Sequence, residues 1–377
     1  MNNRILLLGC AAVFAVTGAF PASASVRSIE GEVVTPLQPP GVDVVPQGIK
    51  RGDAKGSFYV VGTADGTTGA VYSGPMTDGA QTGAVGAWTF MDVPSTWATT
   101  STALSTSIYG VENLPGQNVS LVGTWAEGDL LGEGNASFYY EGPVTATPDP
   151  SHFRQFVATD RSDAPAQFTF LHSVSGGLVV GNWDMARDNN PAGNAFIYES
   201  QSGAQIPIKY PKKERVYTHT AYGIWFNGGH SYTIAGGASK DKRFTSGRIL
   251  EPLGDGTLID YNAKSGRFSN FTRFSYPEQG PRKNKRLSPI THFEGIWSNG
   301  QGKFRMPATV ISKSGKGETA AIMTVRRQSD GSWGIGKWRL PDLGTKIVAT
   351  GNSLYNKVSV GIGDFGSGVQ SYGFRAE

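Results

Sequence analysis

Hydrophobic residues in this chain occur in short runs that glycine-rich turns separate. The segment THTAYGIWFNGGHSYTIAGG, residues 218–237, is typical, because two runs of strand-forming residues are joined at Asn227-Gly228-Gly229. A turn of this composition between such runs is typical of a β-hairpin. We find no convincing segment with the hydrophobic period of an amphipathic helix. The pattern therefore predicts an all-β chain of short strands.

The same succession of segments recurs along the chain. Each unit has a turn of small residues, often containing Gly-Ile, then an apolar run that closes on glycine, then an aromatic strand that ends in tyrosine. Six units can be written, and they begin near Gln47, Tyr109, Phe170, Thr218, Thr291 and Lys346. Units of roughly fifty to seventy residues are too long for a solenoid turn and fit four-stranded propeller blades with long loops. The fifth unit departs most, because Pro307 stands where a strand should run.

The two ends of the chain complement each other. The last unit stops after its third strand, at Phe374, and the segment SIEGEVVTPL near the N-terminus belongs to no unit. A strand shared between the termini closes a ring without leaving an exposed edge. We therefore predict a six-bladed β-propeller that an N-terminal strand closes. Seven blades are the alternative, because the sequence before the first unit is otherwise unassigned.

The repeats resemble those of secreted bacterial proteins with HAF repeats. In that family a Gly-Ile turn leads to a Val-Val-Gly strand and then to an Ala-Phe-x-Tyr strand. The matching residues here are Val60–Gly62, Leu121–Gly123, Val179–Gly181, Ser137–Tyr140 and Ala195–Tyr198. The motifs are short, but they cover most of the chain after its first residues. The resemblance implies a propeller and no particular activity.

The first residues predict export. Arg4 precedes the apolar run Ile5–Phe20, and Ala22-Ser23-Ala24 follows as a small-residue cleavage site. We interpret residues 1–24 as a signal peptide and residues 25–377 as a single propeller domain, secreted to the periplasm or the outside and monomeric. A membrane anchor would need about twenty apolar residues, and a lipoprotein would use Cys10. Because Cys10 is the only cysteine and leaves with the signal, the mature domain has no disulfide.

Composition and charge narrow the possible partners. The chain has 51 Gly in 377 residues, together with 8 Trp, 14 Tyr and 19 Phe, which is typical of short strands and tight turns. The formal net charge of +4 is too small to indicate nucleic-acid binding. The positive charge is concentrated in residues 212–215 and 282–286, each shortly before a Thr-His pair. These runs are either solvated loops or a rim that attracts an anionic ligand.

Three of the five histidines fall in the opening segments of neighbouring units: His172, His219 and His292. The first strand of each propeller blade lines the central channel, so these imidazoles are expected to meet there. The alignment is imperfect, because His219 lies four residues before its glycine and His292 lies three before its own. A slip of one residue reverses the facing of a strand side chain, so a bulge is required. The alternative is that they are ordinary polar residues of strands.

Converging imidazoles would allow two chemistries. Three neutral rings could hold a divalent ion such as Zn or Mn, or one ring could act as a general base. Tyr109 and Tyr222 directly precede the repeat glycine and are candidate proton donors. Glu294 occupies the same place in the fifth unit, as an acid, a base or a ligand. Whether a metal binds is left open at this point.

Histidine, tyrosine and a cation are the parts needed for β-elimination at a uronic acid, because the C5 proton becomes acidic once the adjacent carboxylate is neutralised. In this hypothesis His172, His292, Tyr109 and Tyr222 are catalytic. The substrate-binding residues are His219, Glu294, Arg305, Trp225 and Trp297, with Arg326 as a second candidate cation. Several polysaccharide lyases are propellers with such parts, and the chain is similar to them in architecture and residue types only.

Two other functions remain open from the sequence. The first is a non-catalytic secreted propeller that binds glycans or proteins on its rim, since propellers host many functions. The second is a glycoside hydrolase, for which Glu112 and Glu294 are the acids nearest to repeat glycines. The expected partner is an acidic polysaccharide or oligosaccharide, with no nucleic acid and no membrane span. No Gly-x-Ser-x-Gly elbow and no His-Glu-x-x-His motif occurs.

Overall fold

Antiparallel hairpins dominate the chain, and they build six β-sheets around one axis. The computed structural model describes residues 27–29, 32–76, 86–100, 102–130, 134–185, 193–214, 216, 218–239, 254–278, 286–287, 290–311, 318–340, 350–364 and 369–375. The sheets form a six-bladed β-propeller, which confirms the predicted fold class and the blade count. The predicted signal peptide lies outside the described residues. Among the residues described, no helix is long and apolar enough to cross a membrane.

The strands follow the sequence repeats in order, with β1 (Arg27–Ile29) and β2 (Glu32–Pro36) ahead of the first blade. Blade 1 contains β3 (Val44–Arg51), β4 (Ser57–Ala64), β5 (Thr68–Pro75) and β6 (Ala87–Met91). Blade 2 contains β7 (Leu104–Leu114), β8 (Asn118–Glu127), β9 (Ala136–Pro143) and β10 (Phe153–Phe156). Blade 3 contains β11 (Phe168–Ser175), β12 (Leu178–Asp184), β13 (Asn194–Glu199) and β14 (Gln205–Pro207).

The second half of the ring continues this order. Blade 4 contains β15 (Thr218–Gly228), β16 (Ser231–Ser239), β17 (Asp255–Asn262) and β18 (Arg267–Phe274), and the short ribbon β19 (Pro277–Glu278) and β20 (Arg286–Leu287) follows it. Blade 5 contains β21 (Ile290–Phe293), β22 (Trp297–Ser298), β23 (Lys303–Ile311), β24 (Glu318–Arg326) and β25 (Lys337–Arg339). Blade 6 contains β26 (Ser353–Tyr355), β27 (Val358–Asp364) and β28 (Val369–Arg375). Short 3₁₀ turns among the described residues are Ser95–Trp97, Pro115–Gln117, Pro150–His152 and Lys212–Glu214.

The N-terminal strand closes the ring, as the sequence predicts. Strand β2 pairs with β28 from Val33↔Arg375 to Pro36↔Tyr372, and β1 adds a further strand outside it. A side-chain hydrogen bond ties blade 6 to blade 1, because Asn352 Nδ2 donates to the carbonyl oxygen of Pro46 over 2.7 Å. The two ends of the chain thus complete one sheet, and the ring has no open edge at its junction.

The hydrophobic core lies between neighbouring blades. Val71 of blade 1 and Ile108 and Phe138 of blade 2 belong to one buried cluster, and Ile197 of blade 3 and Ile234 of blade 4 belong to another. Each sheet therefore buries both faces, which explains why the strands read as nearly continuous apolar runs rather than alternating ones. This packing holds the inner strands in place around the axis.

The inner strands carry a β-bulge at one shared position. In β3, β7, β11 and β15 the pairing register shifts by one residue, and the unpaired residues are Gln47, Tyr109, His172 and Tyr222. A bulge re-aims the side chain that it leaves unpaired and bends the strand. The bulge recurs at the same place in four blades, so it does not remove the one-residue offset between His219 and His292 that the sequence shows.

Blade 5 breaks its inner strand at the same level. Pairing of β21 ends at Phe293↔Ala308 and resumes in β22 at Trp297↔Arg305, opposite Pro307. Because proline has no N–H, it cannot complete a ladder on both sides. Instead, the backbone N–H of Glu294 donates to the Pro307 carbonyl oxygen over 3.0 Å. The departure at Pro307 thus places Glu294 where the other blades have their bulged residue.

The repeat glycines follow the bulges because the inner strands touch there. A Cβ on Gly110 would lie 2.7 Å from the His172 carbonyl oxygen of the next blade. A Cβ on Gly223 would lie 2.8 Å from the backbone carbon of Gly295. Real Cβ atoms do not approach backbone this closely, so a side chain at either position would push two blades apart. We call the level of these contacts the glycine ring.

Replacing Gly223 by alanine should destabilise the propeller, whereas the same change at Gly295 should not. A Cβ on Gly295 would meet its nearest neighbours at 3.5 Å, which is ordinary contact. We expect Gly223→Ala to lower the free energy of unfolding by about 1–3 kcal/mol, as overpacking does. Thermal and urea unfolding measure this, and Gly295→Ala is the matched control. Equal stabilities of the two variants would contradict the backbone contact.

Candidate functional site

The bulged residues of several blades meet in a recess of the central channel at the level of the glycine ring. Residues from the inner strands of all six blades line it, and the chemically active ones are Lys50, Tyr109, His172, Tyr222 and Glu294. The interior is narrow and has room for roughly one water molecule. A polysaccharide therefore does not thread the channel, and a ligand must approach from one of its ends.

His172 is packed into this recess as a neutral ring. It is 6% exposed, and its Nε2 lies 2.8 Å from Asn182 Oδ1. Because an amide oxygen can only accept, Nε2 carries the proton and donates it. The ring stacks on Tyr222 with a centroid distance of 3.8 Å, and Tyr109 lies 5.2 Å away. Burial lowers the pKa of His172 to about 3, so the imidazole is a weak base at neutral pH.

His292 approaches the same cluster from blade 5. Its ring centroid lies 4.5 Å from that of Tyr222, and its Nε2 lies 2.5 Å from Thr220 Oγ1. On the other side, Nδ1 lies 3.1 Å from Glu294 Oε1. Glu294 is 8% exposed, and neither Nδ1 nor Oε1 makes a well-aligned hydrogen bond to a described residue. Two buried polar atoms thus remain available beside each other.

His219 does not join this group, which corrects the expectation of three converging imidazoles. It packs against Tyr210 with a centroid distance of 4.6 Å, and its Nδ1 accepts the backbone N–H of Ala195 over 2.9 Å. Burial lowers the pKa of His219 to about 4, so this ring is also neutral. His219 therefore holds blades 3 and 4 together instead of contributing to the recess.

The two Thr-His pairs differ by one residue in register, which explains this outcome. Counted from the bulge, His219 matches Thr291, and His292 matches Thr220. The Thr291 hydroxyl accepts the backbone N–H of Tyr276 over 2.9 Å, and Thr169 of blade 3 accepts that of Ala158 over 3.0 Å. This position thus fastens the loop that enters each blade. The repeated Thr-His pair is a coincidence of sequence, and its members face opposite ways.

A metal centre formed by His172, His219 and His292 does not fit this geometry. His219 lies against Tyr210, and His172 Nε2 is committed to Asn182. Within the described ranges, no group of three His, Cys, Asp or Glu side chains is arranged to hold a metal ion.

A second ring of side chains surrounds one end of the channel, two residues beyond the glycine ring in each blade. Its members are Lys50, Glu112, Ser175, Trp225, Trp297 and Tyr355. We call this set the mouth ring. The aromatic members form a row, because Trp297 lies 6.4 Å from both Trp225 and Tyr355 between ring centroids. All three rings are half-buried, so part of each remains accessible.

Lys50 extends from blade 1 across the mouth towards blade 4. Its Nζ lies 5.0 Å from the centroid of the Trp225 ring, which is a cation–π contact. Burial lowers the pKa of Lys50, and the Glu112 carboxylate opposes that effect. Both carboxylate oxygens of Glu112 accept the backbone N–H of Gly176 over 2.9 Å, so this acid holds the blade 3 turn. Lys50 is thus the cation of the recess.

The arginines chosen from the sequence lie further out. Arg305 Nη1 donates to the carbonyl oxygen of Asn356 over 2.9 Å and links blade 5 to the blade 6 turn. Arg326 is exposed on β24. Burial lowers the pKa of Lys303, and the neighbouring charges of Arg305, Arg326 and Lys357 lower it further. These four cations form a positive rim beside Trp297, because Arg305 pairs with Trp297 in the sheet.

The two basic runs of the sequence are only partly described. Lys212–Glu214 forms an exposed 3₁₀ turn, and Glu214 lies 3.6 Å from Arg273 Nε. Residues 215 and 282–285 lie outside the described residues. The prediction that these runs attract an anionic ligand stays a prediction.

Comparison with known proteins shows the fold alone. No family model and no curated protein matches the chain, so the likeness to HAF repeats stays a resemblance. Among solved structures, a PL25 ulvan lyase is 12% identical over 94% of this chain and 86% of its own, with a TM-score of 0.40. A GH43 β-1,3-galactosidase is 12% identical over 85% of this chain and 99% of its own, with a TM-score of 0.42. Likenesses this distant carry no argument about activity.

A third neighbour is larger than this chain. The extracellular domain of a hybrid two-component system from B. thetaiotaomicron is 11% identical over 94% of this chain, with a TM-score of 0.38. The chain spans 43% of its length.

Sequence reasoning missed Lys50, Thr220 and Tyr355. A signal for Lys50 and Tyr355 existed, because both occupy the repeat position that drew attention to Trp225 and Trp297. No signal in the sequence points to Thr220, because the repeated Thr-His pair makes Thr220 look equivalent to Thr291. Only the pairing register shows that Thr220 and His292 are neighbours.

The buried neutral His172 should make the fold sensitive to acid. In the unfolded chain histidine binds a proton near pH 6.5, whereas in the fold His172 does so near pH 3, so stability falls as the pH drops below about 6.5. Between pH 7 and pH 5, we expect the free energy of unfolding of His172→Gln to fall by about 2 kcal/mol less than that of the natural protein. Urea unfolding at the two pH values measures this. His230→Gln, which changes an exposed histidine, should behave like the natural protein; identical slopes for all three would refute a neutral His172.

Proposed function

We propose that the protein binds an acidic polysaccharide or oligosaccharide at the mouth ring. The observation that carries this proposal is the row of Trp225, Trp297 and Tyr355 facing Lys50 across the end of the channel. Half-buried aromatic rings offer apolar faces on which sugar rings stack, and a cation among them selects ligands that carry a carboxylate. Sites for small ligands combine apolar walls with a few placed polar groups in this way.

The surroundings of Lys50 favour an anion over a neutral sugar. A charge that is partly removed from water interacts more strongly with a ligand charge than an exposed one does. Lys50 makes a cation–π contact, and its nearby acid Glu112 is occupied by the Gly176 backbone. A ligand carboxylate would therefore meet an ammonium group that no described carboxylate pairs with directly.

The positive rim beside Trp297 extends this preference. Lys303, Arg305, Arg326 and Lys357 lie close enough to influence one another electrostatically. A group of like charges on one edge attracts polyanions, and salt screens this attraction over about 10 Å at 0.1 M ionic strength. A polymer held at the mouth ring would run outward across this rim, which favours a chain with several acidic sugars over a single residue.

Removing an aromatic or the cation of the mouth ring should weaken binding. We expect Lys50→Met to reduce affinity for uronate polymers at least about tenfold, because a charge-assisted contact contributes about 1.5–3 kcal/mol. Trp297→Ala should also reduce this affinity, because it removes the central ring of the aromatic row. Isothermal titration at two salt concentrations measures the effect, and Lys50→Met should also reduce the salt dependence. The control is Lys337→Ala, which removes an exposed cation on β25, the outer strand of the blade that carries Trp297. Unchanged affinity of both mouth variants would exclude this surface.

A lyase acting at a uronic acid is the second candidate function. β-Elimination requires a cation for the carboxylate, a base for the C5 proton and an acid for the leaving oxygen. Lys50, Tyr222 and Glu294 line one recess, with His292 beside Tyr222 and Glu294. In this reading Lys50 replaces Arg305 as the cation. His172 is not the base, because its pKa of about 3 leaves it too weakly basic.

The elimination can be followed by the ultraviolet absorbance of the unsaturated sugar that it forms. If the protein is a lyase, Tyr222→Phe and His292→Ala should lower the rate at least about a hundredfold, since acid–base groups contribute typically that much. Thr220→Val keeps the Tyr222 phenol and the His292 imidazole and is therefore the control variant. Absence of unsaturated product from the natural protein on a panel of uronate polymers would reject the lyase and leave the binding proposal intact.

A further inference from the structure

Three side chains of neighbouring blades form a continuous chain of contacts on the far side of the glycine ring from the mouth. Thr220 Oγ1 lies 2.5 Å from His292 Nε2, and His292 Nδ1 lies 3.1 Å from Glu294 Oε1. Thr220 comes from blade 4, whereas His292 and Glu294 come from blade 5. The contact exists because the two inner strands touch at Gly223 and Gly295.

The hydrogen positions follow from the partners. His292 Nδ1 and Glu294 Oε1 lie 3.1 Å apart but are not aligned as a hydrogen bond, as is common for catalytic pairs before a substrate binds. Because a carboxylate oxygen accepts, this arrangement places the imidazole proton on Nδ1. Nε2 is then an acceptor and takes the hydroxyl proton of Thr220. Thr220 Oγ1 also accepts the backbone N–H of Gly237 over 3.2 Å. This second hydrogen bond leaves the hydroxyl proton directed at His292 Nε2. This is the order of groups that activates an alcohol: hydroxyl, imidazole, carboxylate.

The fold makes room for this arrangement at one position. A Cβ on Gly237 would lie 2.4 Å from His292 Cδ2, so the ring can occupy its place only against a glycine. The side chain of His292 is 14% exposed and Thr220 is half-buried, whereas the side chain of Glu294 is only 5% exposed. The hydroxyl and imidazole can therefore meet a ligand while the carboxylate stays behind them.

We propose that Thr220, His292 and Glu294 hydrolyse a carboxylic ester with a small acyl group. Thr220 Oγ1 attacks the carbonyl carbon while His292 Nε2 takes the hydroxyl proton. The tetrahedral intermediate then breaks its bond to the alcohol oxygen, which receives that proton and leaves. Water, deprotonated by His292, attacks the acyl-threonine, and the acid and free Thr220 result. A small acyl group suits this place because Thr220 is half-buried and the side chain of His292 is only 14% exposed.

Thr220 and His292 are the catalytic residues of this proposal, and Glu294 is a positioning residue that acts through His292. The inference does not depend on glycan binding, because the mouth ring lies on the other side of the glycine ring. It also differs from the lyase reading, in which Thr220 has no role. Thr220→Val therefore separates the two chemistries that share His292.

The test uses p-nitrophenyl acetate and the full chain. We expect Thr220→Val and His292→Ala to lower kcat/KM by about a thousandfold or more, as loss of a nucleophile or its base does. Thr220→Ser should retain activity, because it keeps the hydroxyl. His230→Ala, which removes an exposed histidine of the same blade, should leave the rate unchanged. Peptide mass spectrometry after an acid quench should locate one acetyl group on Thr220 and none in the Thr220→Val variant.

Glu294→Gln provides a readout that a structural role would not give. The variant keeps the shape of the side chain but removes the charge that stabilises the imidazolium, so the acid limb of the pH profile of kcat/KM should move to lower pH. Thermal unfolding of each variant shows that it is folded, and Thr220→Ala serves as the variant without the hydroxyl where Thr220→Val does not fold. Hydrolysis by the natural protein no faster than by His292→Ala, or full activity of Thr220→Val, would overturn the proposal.

Discussion

The close approach of six inner strands around one axis determines the rest of this structure. At the glycine ring the backbone of one blade touches that of the next, for example between Gly223 and Gly295. Where the contact is closest, at Gly110 and Gly223, it leaves no volume for a side chain. In four blades the inner strand bulges just before this level and directs one residue into the channel. The channel is therefore closed by backbone, and its chemistry is set by whichever residue occupies the bulge. A wider ring would have produced an open pore with a different use.

The repeats allowed the fold to be predicted because each blade is a local unit. Hairpins form between segments adjacent in sequence, so the positions of glycines and aromatics mark the strands without reference to the rest of the chain. The closing strand was also predictable, since an unpaired edge at each terminus suggests one partner. The register inside the inner strands was not predictable. The one-residue offset between His219 and His292 is visible against the repeat glycines, but the sequence does not show where the ladder slips and therefore which of the two faces the recess.

The candidate site was predicted only in part for the same reason. The place beside the repeat glycine points to Tyr109, Tyr222 and Glu294, and the opening segment of the third unit points to His172. All four line the recess. For the cation, residue type alone points to Arg305 and Arg326, which lie on the positive rim, whereas Lys50 reaches the recess through its position in the repeat. Pro307 was noted as an irregularity, but its consequence requires the ladder: without an N–H it opens the inner strand and exposes Glu294 to the channel.

The glycine ring also divides the channel into two chemically different ends. On one side Lys50 and the aromatic row face outward, and on the other Thr220 and His292 lie behind Tyr222. Because backbone fills the space between them, a ligand at one end cannot reach the other except through the narrow recess that Glu294 lines. Communication between the ends can pass through Glu294 and Tyr222, which both border the recess and contact His292. A cation or a proton bound at the recess would change the charge that His292 experiences, and the two ends would be coupled by electrostatics rather than by movement of the blades.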